Sequence, residues 1–229
     1  SIGGDLDVTT AGAITQTGVL SVAGNAIFDT GGSSAITLTQ SNSLNVFDVD
    51  STGDAVQVTD ADGLDLAAMS VNSLVVMTGG ALTQSGSLNV GTTSAFTTGN
   101  SDLTLTDAGN VFTGGVTFNG FSTGNISIVD TTALELQDDL DVTNLTVTAA
   151  GITQAAGANG LGITGVATFD AGSNAITLGN AANEFGTSLL LTTTGSNNAT
   201  IVDASDLSLG ASSIGGDLDV TTAGAITQT

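Results

Sequence analysis

The densest group of potential metal ligands is a run of aspartates in the first third of the chain. It consists of Asp48, Asp50, Asp54, Asp60, Asp62 and Asp65. Calcium binds about six to eight oxygen ligands, and a glycine within the stretch, here Gly53, permits the tight turn such a loop needs. Thr59 stands where an EF-hand loop carries its bidentate glutamate, so the stretch departs from that pattern. The sequence therefore predicts a site for Ca²⁺ or another divalent cation here, with a solvated acidic turn as the alternative.

Alternating carboxylates form a second candidate for chemistry. They occur at Asp138-Asp139-Leu140-Asp141 and at Asp217-Leu218-Asp219, whose copy is Asp5-Leu6-Asp7. Paired carboxylates cleave glycosidic bonds in many hydrolases, so a polysaccharide-active β-helix enzyme is a remote alternative. The chain, however, has no Lys, Arg, His, Cys, Tyr or Trp to act as a partner base, a nucleophile or a sugar-stacking platform. We expect no enzymatic activity and no required cofactor.

These residues belong to a tandem repeat. Residues 1–17 recur letter for letter as residues 213–229, so one full period runs from residue 1 to residue 212. Internal similarity divides the period into three units: 42–109, 110–182, and 183–229 continuing as 18–41 of the next period. Such self-similarity predicts one continuous segment of a longer array, whose partners are further copies of the same repeat.

Short apolar–polar–apolar strands recur through all three units. Their starts are Ile14, Ile36, Val56, Leu82, Leu103, Ile126, Ile152, Ile176, Ala199 and Ile226. Alternation of apolar and polar residues is typical of strands with one buried face, and Gly, Asn, Asp and Ser between them are typical of turns. The pattern predicts a parallel β-solenoid with about nine coils of roughly 20–27 residues per period, or about 43 Å of axis at roughly 4.8 Å per coil. The alternative is a row of small β-sandwich modules joined by calcium.

Composition limits the partners. The chain carries 22 Asp and Glu, no basic residue, and a net charge of -22. The 20 carboxylates of one period, without the overlapping Asp217 and Asp219, give about one charge per 2 Å of a roughly 43 Å axis, close to double-stranded DNA at roughly one per 1.7 Å. Such a rod repels nucleic acid and its own copies, so lateral bundling would need cations. No apolar run reaches the roughly 18 residues of a membrane span.

Segments 4–18, 174–185 and 201–211 resemble the repeats of filamentous-haemagglutinin-like, β-strand-repeat adhesins, which are giant bacterial surface proteins. The resemblance extends over essentially the whole chain and is one of architecture. It implies a secreted, right-handed parallel β-helix that projects from the cell surface and adheres or scaffolds. The expected role is therefore an extracellular filament, stalk or adhesin shaft, whose possible partners are neighbouring filaments or surface glycans. The alternative role is that of calcium-stabilised β-sandwich adhesin modules.

Overall fold

A computed structural model describes residues 1–120, 123–137, 140–155 and 160–229. It contains 28 β-strands, and the described residues include no helix. The strands pair in parallel and stack as a β-solenoid of about 11 turns. The predicted parallel β-solenoid is confirmed. The alternative of separate β-sandwich modules is wrong, because the same ladders run without a break through all the units.

Two long sheets form the opposing walls. Sheet A contains β1 (Leu6–Thr9), β3 (Ser21–Asp29), the second half of β4 (Ala35–Val49), β6 (Leu64–Leu66), β9 (Leu82–Gln84), β12 (Leu103–Leu105), β15 (Asn125–Val129), β18 (Asn144–Thr148), β21 (Val166–Asp170), β24 (Ser188–Thr192), β26 (Leu207–Leu209) and β28 (Ile226–Gln228). Sheet B contains β2 (Ile14–Thr15), the first half of β4, β5 (Ala55–Asp60), β8 (Ser73–Thr78), β11 (Ser94–Thr97), β14 (Val116–Asn119), β16 (Leu134–Leu136), β19 (Ile152–Gln154), β22 (Ile176–Leu178), β25 (Ala199–Asp203) and β27 (Leu218–Thr222). Because β4 turns from one wall into the other, it is the longest strand.

Two short sheets lie at the edges between these walls. Sheet C contains β7 (Met69–Val71), β10 (Leu88–Val90) and β13 (Val111–Phe112). Sheet D contains β17 (Leu140–Val142), β20 (Leu161–Ile163) and β23 (Glu184–Phe185). The chain reaches sheet C on its way from sheet A to sheet B, but reaches sheet D on its way from sheet B to sheet A. Sheets C and D therefore lie on opposite edges of the solenoid.

The core is a column of aliphatic and phenylalanine side chains. Inward residues alternate with exposed ones along each strand, as in β5, where Val56 and Val58 are buried and Ala55 and Gln57 are exposed. The two edges contain matching aromatic pairs, Phe96–Phe112 and Phe169–Phe185, with near-perpendicular rings whose centroids lie 6.1 and 6.2 Å apart. Each coil buries its apolar side chains only because another coil lies above or below it.

The turns stack as closely as the strands. At Gly79 an added Cβ would lie 2.2 Å from the carbonyl oxygen of Ala61 in the coil before it. A side chain there would force the two turns apart, so the glycine is required by close approach of backbone to backbone.

The repeat does not contain a whole number of turns. Leu6 lies in sheet A, whereas its copy Leu218 lies in sheet B. Likewise Ile14 lies in sheet B and its copy Ile226 in sheet A. Following sheet A from β1 to β26 takes ten turns, and a further half turn leads to β27. One period is therefore ten and a half turns, and successive periods are rotated by half a turn.

This corrects the predicted count of nine coils per period. Most steps between the recurrent strand starts stay within one sheet, but those from Val56 to Leu82, from Ile126 to Ile152 and from Ala199 to Ile226 cross to the opposite sheet. These three steps are the longest in the series. By the strand register a single coil runs only from Val56 to Leu74, or from Ile126 to Leu145. Counting the motif therefore omits half a coil in each unit.

Candidate functional site

The six aspartates of the predicted cation site do not point to one place. Asp54 is fully buried, and its Oδ1 accepts hydrogen bonds from the Thr30 hydroxyl and the Ser34 amide, both at 2.7 Å. Its Oδ2 accepts a hydrogen bond from the hydroxyl of Ser51. Hydroxyls and an amide thus occupy the oxygens that a metal ion would need, and Asp54 ties two neighbouring turns together.

The remaining members of the group lie in pairs or alone. Burial raises the pKa of Asp48, and the nearby negative charge of Asp50 raises it further, while a backbone amide opposes the shift. Asp62 is exposed, and Asp65 accepts hydrogen bonds from the Thr83 hydroxyl at 2.8 Å and from that of Ser85. In the described part of the chain no three acidic residues are grouped as a metal would require. Cation binding at Asp48–Asp65 stays a prediction of the sequence.

The alternating carboxylates also separate. Asp7 points outward from sheet A, whereas its copy Asp219 points outward from sheet B. Asp141 lies at an exposed position of sheet D, and Asp138 and Asp139 fall outside the described residues. The identical pairs Asp5–Asp7 and Asp217–Asp219 therefore face opposite sides of the solenoid.

A recurrent buried carboxylate closes each edge sheet. Asp60, Asp130 and Asp203 are 2 to 3% exposed. Each accepts a hydrogen bond from the backbone amide of a residue in the coil before it: Leu44 at 2.7 Å, Phe112 at 3.2 Å and Phe185 at 2.9 Å, respectively. The Phe112 and Phe185 amides belong to β13 and β23, the last strands of sheets C and D, where the next coil has no strand to supply a carbonyl; the Leu44 amide lies in β4, the strand that turns from one wall into the other. The carboxylate satisfies the otherwise unpaired donor and so ends the ladder.

The same carboxylates shape the turn that follows. Asp60 Oδ1 accepts the amide of Asp62 at 2.9 Å, and Asp203 Oδ1 accepts that of Ser205 at 2.7 Å. Burial raises the pKa of Asp60, and its hydrogen bonds from backbone amides partly oppose the shift. One oxygen of Asp130, Oδ2, is buried without a hydrogen-bond partner.

A buried amide pair precedes each of these carboxylates. Gln16–Asn42, Gln84–Asn110 and Gln154–Asn183 form reciprocal side-chain hydrogen bonds of 2.8 to 3.1 Å. The asparagines are fully buried. Each asparagine Oδ1 also accepts a backbone amide at 2.9 Å, from Leu88 or Leu161 in the second strand of sheet C or D, or from Leu20 immediately before β3. Each Nδ2 donates to a wall-strand carbonyl, of Leu38, Leu105 or Leu178. Buried polar groups paired in this way impose one register on the coils they join.

The sequence alone assigned these Gln and Asn residues no contact. A usable signal is the nearly constant separation between each Gln and its Asn, which is 26, 26 and 29 positions along the chain. That separation corresponds to one coil plus the width of a turn, which brings the two amides together across adjacent coils.

Outward positions on the two walls carry mostly hydroxyl side chains. On sheet A, Thr83, Thr104, Ser127, Thr146 and Thr168 follow one another in adjacent coils. On sheet B, Thr153, Thr177 and Thr200 do the same beside Glu135. Outward carboxylates interrupt these rows: on sheet A they are Asp7, Asp29, Asp48, Asp65 and Asp170, and on sheet B they are Glu135 and Asp219.

Similarity to known proteins is limited to the repeat itself. No helix in the described residues combines the length and hydrophobicity that crossing a membrane requires. Neither a curated protein nor a solved structure matches the chain. A family described as repeats of unknown function (DUF5649) matches residues 1–48, 53–119, 123–192 and 196–229. Because these four matches together span most of the chain, it belongs to the DUF5649 family of repeats of unknown function.

Proposed function

We propose that this chain is part of a structural shaft: an acidic β-solenoid filament, stalk or adhesin stem built from tandem repeats outside the cell. The observation that carries the proposal is the half-turn relation between the identical segments 1–17 and 213–229. The same residues fit at both ends of the period within one uninterrupted ladder. A further period can therefore stack on the last coil in the same way.

The interior supports a mechanical role. Every unit repeats the buried amide pair and the buried carboxylate described above, and both join neighbouring coils. Stability of such an array is nearly additive along its length, so adding repeats lengthens the shaft without a new core. The absence of Lys, Arg, His, Cys and Tyr from the sequence supports a structural rather than a catalytic role.

The charge favours a cation-rich medium. At about 4.8 Å per coil, ten and a half turns span roughly 50 Å. The 20 carboxylates of one period, without the overlapping Asp217 and Asp219, then lie about 2.5 Å apart along the axis. This density is lower than the sequence predicted, but it still gathers cations and opposes the approach of other acidic rods. Extracellular or cell-surface location, surface glycans and neighbouring filaments as partners, and calcium as a bridging ion belong to the same proposal.

The test is length. One further period is added by placing a copy of residues 1–212 in front of residue 1. This should lengthen the particle by about 50 Å in electron micrographs while its width stays constant. A chain without an added period is the control. Lengthening by much less than this, or a wider particle, would show that added periods fold back on themselves, and the shaft would be rejected.

A further inference from the structure

One area of sheet B differs from the rest of the surface. It consists of the outward side chains of β4, β5, β8, β11 and β14, and we name it the sheet B patch; its central members are Gln57, Val75, Met77, Ala95, Thr97 and Thr117. All five strands lie in the described residues, and none has an acidic side chain at an outward position of the patch. The patch is therefore an uncharged, flat area on a chain of net charge -22.

Its centre is apolar. Met77 is 43% exposed and lies in register between Thr59 and Thr97. Val75 lies beside it, in register between Gln57 and Ala95. The equivalent strand of the next unit, β18, carries Thr146 and Thr148 at these outward positions. The exposed Met77 and the half-buried Val75 on one strand, with threonine at both places on its equivalent, indicate a contact surface specific to the first unit.

Two carboxylates next to the patch are turned away from it, whereas Glu135, exposed on the neighbouring strand β16, bounds it. Asp54 precedes β5 and Asp60 ends it, yet both are buried and hydrogen-bonded inside the solenoid. Two copies can therefore bring this area together without opposing two rows of carboxylates. On the first four strands of sheet A, by contrast, the outward carboxylates would oppose those of a second copy and repel them; they are Asp7, Asp29, Asp48 and Asp65.

We propose that the sheet B patch is an interface between two copies of this chain, packed face to face about a twofold axis. A twofold contact places each Met77 near its counterpart on the second copy. Flat sheets pack at about 10 Å, with outward side chains interdigitating, and the small Ala and Thr residues around Met77 leave room for it.

The contact is small for one pair of chains. Five strands at about 4.8 Å by four residues at roughly 3.3 Å cover about 300 Å² on each copy. The total of roughly 600 Å² is below the 1,200 to 2,000 Å² of a stable complex, so a single contact is weak. In the proposed tandem array the contact would recur in every period, and the half-turn would present it alternately on both sides. Several weak contacts along one shaft then act together.

The experiment uses the lack of native cysteine in the chain. Met77→Cys introduces a single thiol in the sheet B patch, and Thr146→Cys introduces one at an outward position of the equivalent strand on the opposite wall. Each purified variant is oxidised at the same protein concentration and at about 0.15 M salt, where charges beyond roughly 8 Å are screened. Disulfide-linked dimers are quantified over time by non-reducing electrophoresis. Thiol accessibility is measured separately with a soluble maleimide, so that rates can be compared at equal reactivity.

We expect Met77→Cys to form dimers about tenfold faster than Thr146→Cys after this correction, because the interface raises the effective thiol concentration. Adding Val75→Asp to Met77→Cys should reduce its rate to that of Thr146→Cys by placing like charges opposite each other. Equal rates for the two single-thiol variants, or no effect of Val75→Asp, would overturn the proposal. Since the assay reports pairing of single chains, its failure would leave the length test of the shaft unaffected.

Discussion

The two edges of the solenoid make the same contacts from different sequences. On the sheet C edge, Gln84 pairs with Asn110, and on the sheet D edge Gln154 pairs with Asn183. The chain enters these edges from opposite walls, since β9 belongs to sheet A and β19 to sheet B. A unit therefore carries its own set of contacts, and the half-turn moves that set intact to the other side of the solenoid.

The largest expected effect comes from removing the asparagine on either edge. Asn110→Ala and Asn183→Ala each leave a glutamine amide, a backbone N–H and a carbonyl without a buried partner. At roughly 1–3 kcal/mol for each of the two buried backbone groups, and with the half-buried glutamine able to turn to water, each substitution should lower the local free energy of opening by about 2–6 kcal/mol. Hydrogen exchange at the Leu88 and Leu161 amides measures this locally, which suits a repeat protein that opens in parts. The exposed-site control Gln57→Ala should change it by less than about 0.5 kcal/mol. A difference between the two asparagine variants of more than about 2 kcal/mol would break the equivalence of the edges.

The aromatic pairs should distinguish the two edges by their contribution to stability. Phe96→Ala and Phe169→Ala should each cost about 3–5 kcal/mol, since each leaves a cavity in the core. Phe96 also contacts Phe118, with ring centroids 6.2 Å apart. We therefore expect Phe96→Ala to cost about 0.5–1.5 kcal/mol more than Phe169→Ala. Urea denaturation of both variants, with Phe118→Leu as a control for the additional ring, measures the difference. An equal cost would mean that the Phe96–Phe118 contact adds nothing beyond burial.

The buried carboxylates should distinguish the edges more finely. Asp203 uses both oxygens, accepting the amides of Phe185 and Ser205. In Asp203→Asn one of these amides would face an NH₂ group, at an expected cost of about 1–3 kcal/mol. Asp130 accepts through Oδ1 alone, while its buried Oδ2 has no partner. Asp130→Asn can therefore keep its hydrogen bonds and lose a buried charge, so it should be neutral or stabilising. Thermal unfolding of the two variants checks this contrast, and the opposite order would contradict the assigned geometry.

The smallest effect concerns pH. The pKa values of Asp48 and Asp60 are raised in the folded chain, mainly by burial. Their stabilising contribution is therefore complete below their ordinary pKa of 3.8 and is lost as pH rises through the raised values. The urea midpoint should increase as pH is lowered from about 7 through the raised values toward about 4, and Asp48→Asn should make this change smaller. Thr104→Asn, which removes no carboxylate, should keep the wild-type dependence. A wild-type midpoint that falls on acidification over this range would contradict the sign.

Much of the fold was predictable because its signals are local. Alternation in segments such as Leu145-Thr-Val147 predicts strands, and the recurrence of Asp60, Asp130 and Asp203 marks the units. The number of turns was not predictable from the motif spacing. The step from Val56 to Leu82 reads as one long coil, but it is one coil plus a crossing to the opposite wall.

The predicted cation site shows the same limit. Its six aspartates are close in sequence, but strand alternation directs Asp54 and Asp60 inward and Asp48 and Asp65 outward. The buried amide pairs could not be predicted from neighbouring residues. The two partners of each pair are distant in sequence and meet only after a coil closes.

The tandem repeat, the parallel β-solenoid, the acidic surface and the lack of side chains for common catalysis all follow from the order of the residues. Which wall each strand joins and which polar groups are buried depend on how the coils stack. Residues 1–17 and 213–229 demonstrate the reason, since identical residues occupy opposite sheets. A strand's own residues set which of its faces is buried, but the coil on which it stacks sets its wall.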